Sequence, residues 1–154
     1  MKIDIHEIFF TKEKLESSLR DAISIRNQME GKMQSRYDTQ REEWARQCEI
    51  IESQIASLLG LLDFIYTNQS NEQIKRVCLG SLVELTIDND EREIFLITEA
   101  NGGIGFSNIT TLSISSPLGK KIIGCEKNEI INYKNNDEIV KIRVENVESY
   151  SIKG

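Results

Sequence analysis

The 154-residue sequence contains one proline, one tryptophan, one histidine and three cysteines, and it lacks any long hydrophobic run. Without about 18 consecutive apolar residues, no membrane-spanning helix is expected. The first residues include Asp4 and Glu7 where a secretory signal needs an apolar segment, so we expect a cytoplasmic protein. A single histidine, His6, near the N-terminus argues against a nucleophilic catalytic triad.

The three cysteines, Cys48, Cys78 and Cys125, are an odd number and lie far apart, with no C-x-x-C spacing. This pattern argues against a disulfide framework and against a zinc site. We therefore expect all three to be small buried hydrophobic residues.

Positive charge is also scarce, because the 25 acidic residues outnumber the 19 lysines and arginines and give a net charge of −6. Nucleic-acid binding depends on cations that neutralise phosphates. We therefore expect no direct sequence-specific binding to nucleic acid, and any role near DNA or RNA would operate through another protein.

Helical periodicity dominates the first half of the chain. Stepping alternately by four and three residues over Tyr37–Ile65 places apolar or aromatic side chains at eight of nine positions. A weaker seam over Ile5–Met33 is interrupted by Lys12 and Arg26. Such heptad seams are typical of coiled coils. Residues 1–66 are therefore predicted to form an antiparallel coiled-coil hairpin, which either inserts into a partner or dimerises.

The turn of this hairpin is predicted at Gly31–Ser35. Gly31 suits a left-handed helix end, and Ser35 suits the cap of the next helix. Asp38 would then lie in the first helical turn, where a carboxylate is favoured by the helix dipole.

The second half changes to a period of two, which indicates strands. Residues 67–79 carry few apolar side chains and are predicted to be a linker. "GSLVELTI" and "EIFLITEA" predict a hairpin, and "TLSI", "NEIINYK" and "EIVKIRVENVESYSI" predict further strands. Residues 80–154 are thus expected to form an α+β domain of roughly five antiparallel strands with one short helix.

The turn of the first strand hairpin contains Asp88, Asp90 and Glu91. A calcium loop is disfavoured, because Arg92 occupies a position that needs an oxygen ligand and the required glycine is missing. We expect an ordinary turn and no metal site.

The single proline lies in "SSPLGKKIIG" and predicts the start of the short helix. Ser116 suits the helix cap, Pro117 suits the first helical position, and Gly124 suits the end. Leu118, Ile122 and Ile123 would give this helix one apolar face.

Three segments resemble the GreA/GreB transcript-cleavage factors: "SPLGKKIIGCEKNEI", "GSLVELTIDNDEREIFLIT" and "RYDTQREEW". The resemblance implies an FKBP-like C-terminal domain that docks at the rim of the secondary channel of bacterial RNA polymerase, with the hairpin entering the channel. It also implies that Ser115, Ser116 and Pro117 lie on the docking face. Many family members carry an acid at the position of Ser115.

The resemblance also directs attention to the hairpin tip. Cleavage-stimulating members carry two tip carboxylates that hold a second Mg²⁺ ion in the polymerase active site. Those positions are Gly31 and Gln34 here, and the nearest acids are Glu30 and Asp38. Glu30, Gln34 and Asp38 are the candidate Mg²⁺-facing residues, although capping is the simpler role for Asp38.

The predicted function is therefore a monomeric Gre-like factor that binds RNA polymerase and regulates elongation without strong transcript cleavage. It would be neither an enzyme nor membrane-bound, and it would hold no cofactor of its own beyond a Mg²⁺ ion shared with the polymerase. The alternatives are a cleavage factor using Asp38 and Glu30, an FKBP-fold prolyl isomerase, and a coiled-coil adaptor without a polymerase role.

Overall fold

A computed structural model describes residues 1–30, 38–88 and 91–153. The chain divides into two compact units, one formed by His6–Leu61 and the other by Met1–Ile5 together with Leu62–Gly154. None of the helices in these described ranges is long and apolar enough to cross a membrane.

Two long helices form the first unit, α1 (His6–Glu30) and α2 (Asp38–Asn68), the latter continuing into the second unit. A groove between them is lined by side chains from residues 18–25 of α1 and residues 43–51 of α2. These two stretches lie at similar distances in sequence from the connection, as in an antiparallel pair. The predicted pair of long helices is confirmed.

The predicted seams supply most of the buried side chains described in these helices, Leu61 being an exception. On α1 they include Ile8 and Ala22, and on α2 they include Cys48 and Leu58. Lys12, which interrupts the first seam, is accommodated because its Nζ atom forms an ion pair with Glu16 Oε1 at 2.8 Å.

The second unit contains eight strands and a short helix within the described residues. In chain order these are β1 (Lys2–Ile3), β2 (Leu82–Ile87), β3 (Glu91–Thr98), β4 (Gly105–Phe106), β5 (Ile109–Ser113), α3 (Pro117–Ile122), β6 (Ile130–Asn135), β7 (Glu138–Glu148) and β8 (Ser151–Ile152). The predicted α+β class is confirmed.

Six of these strands form one sheet, in the order β4-β5-β3-β2-β7-β6. Its strand pairs are antiparallel except for β3 and β5, which run parallel from Ile94↔Ile109 to Thr98↔Ser113. The prediction of an entirely antiparallel sheet is wrong at this pair. The chain makes a loop and the short strand β4 after β3, so β5 enters the sheet from the same end as β3.

The largest cluster of buried side chains described in this unit lies on the face of the sheet that packs against α3, and Leu82 and Leu96 are buried on the opposite face. This cluster is built from alternate residues of the strands and from Ile122 of α3, and its fully buried members include Val83, Leu85, Ile97 and Val144. Three aromatic side chains of this unit, Phe95, Phe106 and Tyr150, are also buried, and Tyr133 packs against the core while partly exposed. The FKBP-like detail of the fold stays a prediction.

The compact units differ from the predicted domains at two segments. Residues 1–5 pack with the sheet unit, because β1 pairs with β8 and the side chains of Ile3 and Ile5 are buried. The segment 67–79, predicted as a linker, begins in α2 and then packs on the core through Ile74 and Val77.

Asp88, which follows β2, is held by hydrogen bonds to the main chain of β7. This residue adopts a left-handed conformation, with φ of 51°. Its carboxylate accepts a hydrogen bond from the main-chain N–H of Lys141 at 3.2 Å, and its own N–H donates to the Lys141 carbonyl at 2.9 Å. Asp88 thus ties the turn to β7.

Candidate functional site

The Ser-Pro segment forms the predicted N-terminal cap of α3. Ser116 has extended backbone angles, and its hydroxyl accepts a hydrogen bond from the Gly119 N–H at 3.0 Å. The same hydroxyl donates to the Ser113 carbonyl at 2.7 Å. Pro117 follows as the first helical residue, where its missing N–H leaves no hydrogen bond unmade. The cap therefore joins the end of β5 to the start of α3.

Gly119 is a residue of this site that the sequence reasoning missed. A Cβ atom at this position would lie far inside van der Waals contact of the Ser113 carbonyl oxygen and 2.9 Å from Ser116 Oγ. Glycine is thus required because main chain from β5 approaches α3 closely. The only signal in the sequence is a glycine placed inside a helix three residues after its cap.

The end of α3 is joined to the segment that precedes the sheet. Gly124 has a φ of +83°, as predicted for the residue that ends this helix, and its N–H donates to the Val77 carbonyl at 2.8 Å. Val77 N–H in turn donates to the Cys125 carbonyl at 2.9 Å. Of the residues predicted to form the apolar face of α3, Ile122 is buried, whereas Ile123 is 42% exposed. The left-handed turn at Gly124 directs the following chain toward residue 77, and it leaves Ile123 at the surface.

An open apolar groove lies beside α3. Its volume is 630 Å³, and it is lined by Arg76, Val77, Cys78, Leu79, Ile114, Lys120, Ile123 and Gly124. Leu79 and Ile123 are both large apolar residues at the surface, 41% and 42% exposed. The lining also includes two cationic side chains, and Arg76 is paired with Glu126 at 3.2 Å. Exposed apolar residues grouped in this way are characteristic of interaction surfaces.

The three predicted docking residues lie together at the start of α3. Ser115 and Pro117 are exposed, and Ser116 is half-buried because it caps the helix. The hydroxyl of the exposed Ser115 lies 2.8 Å from the hydroxyl of the half-buried Ser113. The candidate site thus consists of an uncharged serine pair before the start of α3 and an apolar groove beside this helix.

The family model for the C-terminal domain of the transcription elongation factors GreA/GreB matches residues 71–149, just over half of the chain. The matched range contains the capped helix α3, the groove and the sheet. The chain belongs to the GreA/GreB family. This confirms the family resemblance of the sequence.

Solved structures of Gre factors are also similar to this family member. GreA factor homolog 1 of Thermus thermophilus is 18% identical, with 97% of this chain and 100% of that chain covered and a TM-score of 0.41. Its Thermus aquaticus counterpart is 18% identical, with coverage of 96% and 99% and a TM-score of 0.43. The GreA/GreB factor of Nitrosomonas europaea is 17% identical, with coverage of 48% and 61% and a TM-score of 0.40. No curated protein matches the chain.

The predicted tip of the hairpin lies outside the described part of the structure. Gln34 and the side chains of Glu30 and Asp38 fall there, so their predicted roles stay predictions. Among the described residues, no group of three histidine, cysteine or acidic side chains is placed to hold a metal ion.

The cysteines of this Gre-family chain differ in their surroundings. Cys48 and Cys125 are buried as expected, but Cys78 is exposed in the groove, so the expectation of three buried thiols is wrong there. Burial raises the pKa of the Cys125 thiol, and a hydrogen bond with Glu129 and the negative charge of that residue raise it further. The thiol of Cys78 is accessible because this residue lines the open groove.

Proposed function

We propose that this protein binds bacterial RNA polymerase and regulates elongation, docking through the surface beside α3 at the rim of the secondary channel. The observation that carries the proposal is the family match, which spans the Ser116–Pro117 cap and the adjoining groove. The long helical pair is the part that enters the channel.

The groove has the chemistry of a protein-docking surface. Leu79 and Ile123 provide apolar contact area, and Arg76 and Lys120 provide positive charge at its margin. Interfaces commonly combine an apolar centre with a polar rim. The complementary segment of the polymerase would therefore carry apolar side chains flanked by acids.

The tip composition supports regulation without strong stimulation of transcript cleavage. A second Mg²⁺ ion needs anionic oxygen ligands. The two positions that carry carboxylates in cleavage-stimulating relatives are Gly31 and Gln34 in this sequence. The protein would thus act by occupying the channel, as a non-enzymatic cytoplasmic factor with no cofactor of its own.

The docking proposal is tested by measuring the affinity of purified core polymerase for the full-length protein. Ile123→Glu places a charge in the groove and should weaken binding at least about tenfold, equivalent to about 1.4 kcal/mol. Gln73→Glu is the control, since it adds the same charge at an exposed residue that lies outside both the groove and the helical pair. Equal binding of both variants would refute docking through the groove.

The cleavage proposal is tested separately on stalled elongation complexes. The wild-type protein should leave the transcript length unchanged over the time in which a cleavage-competent Gre factor shortens it. Rapid shortening that is lost in Asp38→Asn would show that Asp38 holds the metal, and would refute the non-cleaving function.

A further inference from the structure

The two edges of the six-stranded sheet differ in length and openness. β4, at one edge, has two residues, whereas β6, at the other edge, has six. β6 contains no proline, and its pairing with β7 runs without interruption from Ile130↔Arg143 to Asn135↔Glu138. Long regular edges can pair with another strand unless a device such as proline or a bulge prevents it. β6 is thus the edge strand with which an additional strand can pair.

The backbone of β6 presents hydrogen-bonding groups at this edge. Lys141, on β7, directs both its N–H and its carbonyl to Asp88 on the side away from β6. Asn132, opposite Lys141, therefore belongs to a non-hydrogen-bonded pair, and its own N–H and carbonyl point outward. Because hydrogen-bonded and non-hydrogen-bonded pairs alternate along an antiparallel ladder, the N–H and carbonyl groups of Ile130 and Lys134 also point outward. Three outward N–H groups and three outward carbonyls can pair with an added strand.

One face of the β6–β7 hairpin combines positive charge with exposed apolar side chains. The residues that alternate onto this face in opposed pairs are Ile130 and Arg143, Asn132 and Lys141, and Lys134 and Ile139. All six are exposed, with Ile130 at 52% and Ile139 at 72%. Three of them are cations and none is an acid, although the chain carries a net charge of −6. Arg143 forms an ion pair with Glu145 of β7 at 3.8 Å, so the positive charge offered to a partner comes from Lys134 and Lys141. This face is complementary to a segment that carries acids and apolar residues.

We propose that the β6 edge binds an extended acidic segment of a partner protein as an additional strand of the sheet. Main-chain hydrogen bonds to Ile130, Asn132 and Lys134 would hold the segment, as in other cases of strand addition. Its acidic side chains would lie beside Lys134 on β6, with the charge of Lys141 one strand further in, and a β-branched residue would lie beside Ile130. This surface is separate from the groove at α3, since the two share no lining residue.

Two other occupants fit this face less well. A second copy of β6 would bring the same lysine and isoleucines and no acid. A single-stranded nucleic acid would gain phosphate contacts from the cations, but this face has no aromatic side chain on which bases stack. The exposed isoleucines favour a protein segment, because apolar contact area contributes to protein interfaces.

The test uses the full-length protein and a short synthetic peptide of alternating glutamate and valine, with a lysine–valine peptide of equal length as the control probe. The glutamate peptide should bind in low salt, weaken at high salt, and slow hydrogen exchange of the Ile130, Asn132 and Lys134 amides. The lysine peptide should not bind. Failure of the glutamate peptide to bind, or equal binding of the two peptides, would overturn the proposal.

Matched variants separate the backbone contribution from the charge contribution. Asn132→Pro removes one outward N–H without breaking the ladder to β7, and should weaken peptide binding at least about tenfold, whereas Asn132→Ala should retain it. Lys134→Glu should weaken binding by a similar factor, whereas Lys75→Glu, at an exposed lysine elsewhere, should not. Retained binding in both Asn132→Pro and Lys134→Glu would contradict the proposed mode.

The same hydrogen-exchange measurement also tests the two other occupants, a second copy of β6 and a single-stranded nucleic acid. Protection of the β6 amides that rises with protein concentration alone would indicate a second copy, and equal protection by a single-stranded oligonucleotide would indicate a nucleic acid. Either result would overturn the acidic-segment proposal. Because no polymerase is present, these outcomes are independent of the proposed function.

Discussion

The phenolic hydroxyl of Tyr150 donates a hydrogen bond to the main-chain carbonyl of Ile65 at 2.9 Å, and both residues are fully buried. Ile65 is one of the last four residues of α2, whose carbonyls have no partner within a helix. The Tyr150 carbonyl in turn accepts from the Ser70 N–H at 2.7 Å. Tyr150 thus provides a hydrogen-bond donor to a carbonyl at the end of α2 and an acceptor for the main chain that follows this helix.

Removing this hydroxyl should destabilise the sheet unit. Tyr150→Phe keeps the ring but leaves the Ile65 carbonyl buried without this donor, which costs about 1–2 kcal/mol in the free energy of unfolding. Urea denaturation followed by circular dichroism measures the loss. Tyr66→Phe, at an exposed tyrosine, is the control and should change stability by less than about 0.5 kcal/mol. Equal effects of the two substitutions would contradict the role of the Tyr150 hydrogen bond.

The same tyrosine predicts a loss of stability in alkaline solution. Burial raises the pKa of Tyr150 above its ordinary value. The unfolded chain ionises this tyrosine from about pH 10 upward, whereas the folded chain keeps the proton. The unfolded state then binds fewer protons, so the free energy of unfolding falls as pH rises. Denaturation curves should show a steeper decline above that pH for the wild type than for Tyr150→Phe, and parallel declines would contradict this assignment.

Local signals in the sequence were sufficient to predict α3 and its ends. Ser116, Pro117 and Gly124 act through their own backbone preferences, so their roles follow from sequence position alone. The two long helices were predictable for a similar reason, because a heptad seam is a property of each helix. In the strands, alternation of apolar and polar residues identified the first hairpin, β2 and β3, for the same reason.

Features that depend on residues distant in sequence were not predictable in this way. The parallel pairing of β3 and β5 depends on the path of the chain between them. The packing of residues 67–79 depends on the hydrogen bonds that join Val77 to Cys125 and Gly124. The requirement for Gly119 arises from the carbonyl of Ser113, which only the folded arrangement of β5 and α3 brings near.

Gly119 should tolerate no side chain. In Gly119→Ala the new methyl group overlaps the Ser113 carbonyl oxygen, so β5 and α3 must separate, at a cost of about 1–3 kcal/mol in the free energy of unfolding. Gly105→Ala is the matched control, since its nearest neighbour to an added Cβ is the Ile109 carbonyl at 4.0 Å. Chemical denaturation of both variants checks the difference. A stability of Gly119→Ala equal to that of Gly105→Ala would show that the close approach is not tight in solution.

The cap of α3 should contribute a measurable part of the stability. Ser116→Ala removes the acceptor for the Gly119 N–H and the donor to the Ser113 carbonyl, and should cost about 1 kcal/mol. The adjacent Ser115→Ala should change the free energy of unfolding by less than about 0.5 kcal/mol, because the Ser115 hydroxyl is exposed. Thermal and urea denaturation should rank the variants in this order. The opposite order would place the capping role on Ser115.

Thiol chemistry should distinguish the cysteine of the groove from the buried cysteines. The thiolate is the reactive form, and access to it controls the rate. Cys78 is exposed, whereas Cys48 and Cys125 are buried. Burial and the neighbouring Glu129 also raise the pKa of the Cys125 thiol. A thiol reagent applied to the native protein near neutral pH should therefore modify Cys78 rapidly and the other two slowly. Peptide mapping identifies the labelled residue, and Cys78→Ser should remove the fast phase. A fast phase that survives in Cys78→Ser would show that a second thiol is open to solvent.

The slow reaction of Cys125 should depend on Glu129. In Glu129→Gln the Cys125 thiol should react at a lower pH than in the wild type, because the negative charge that disfavours its thiolate is gone.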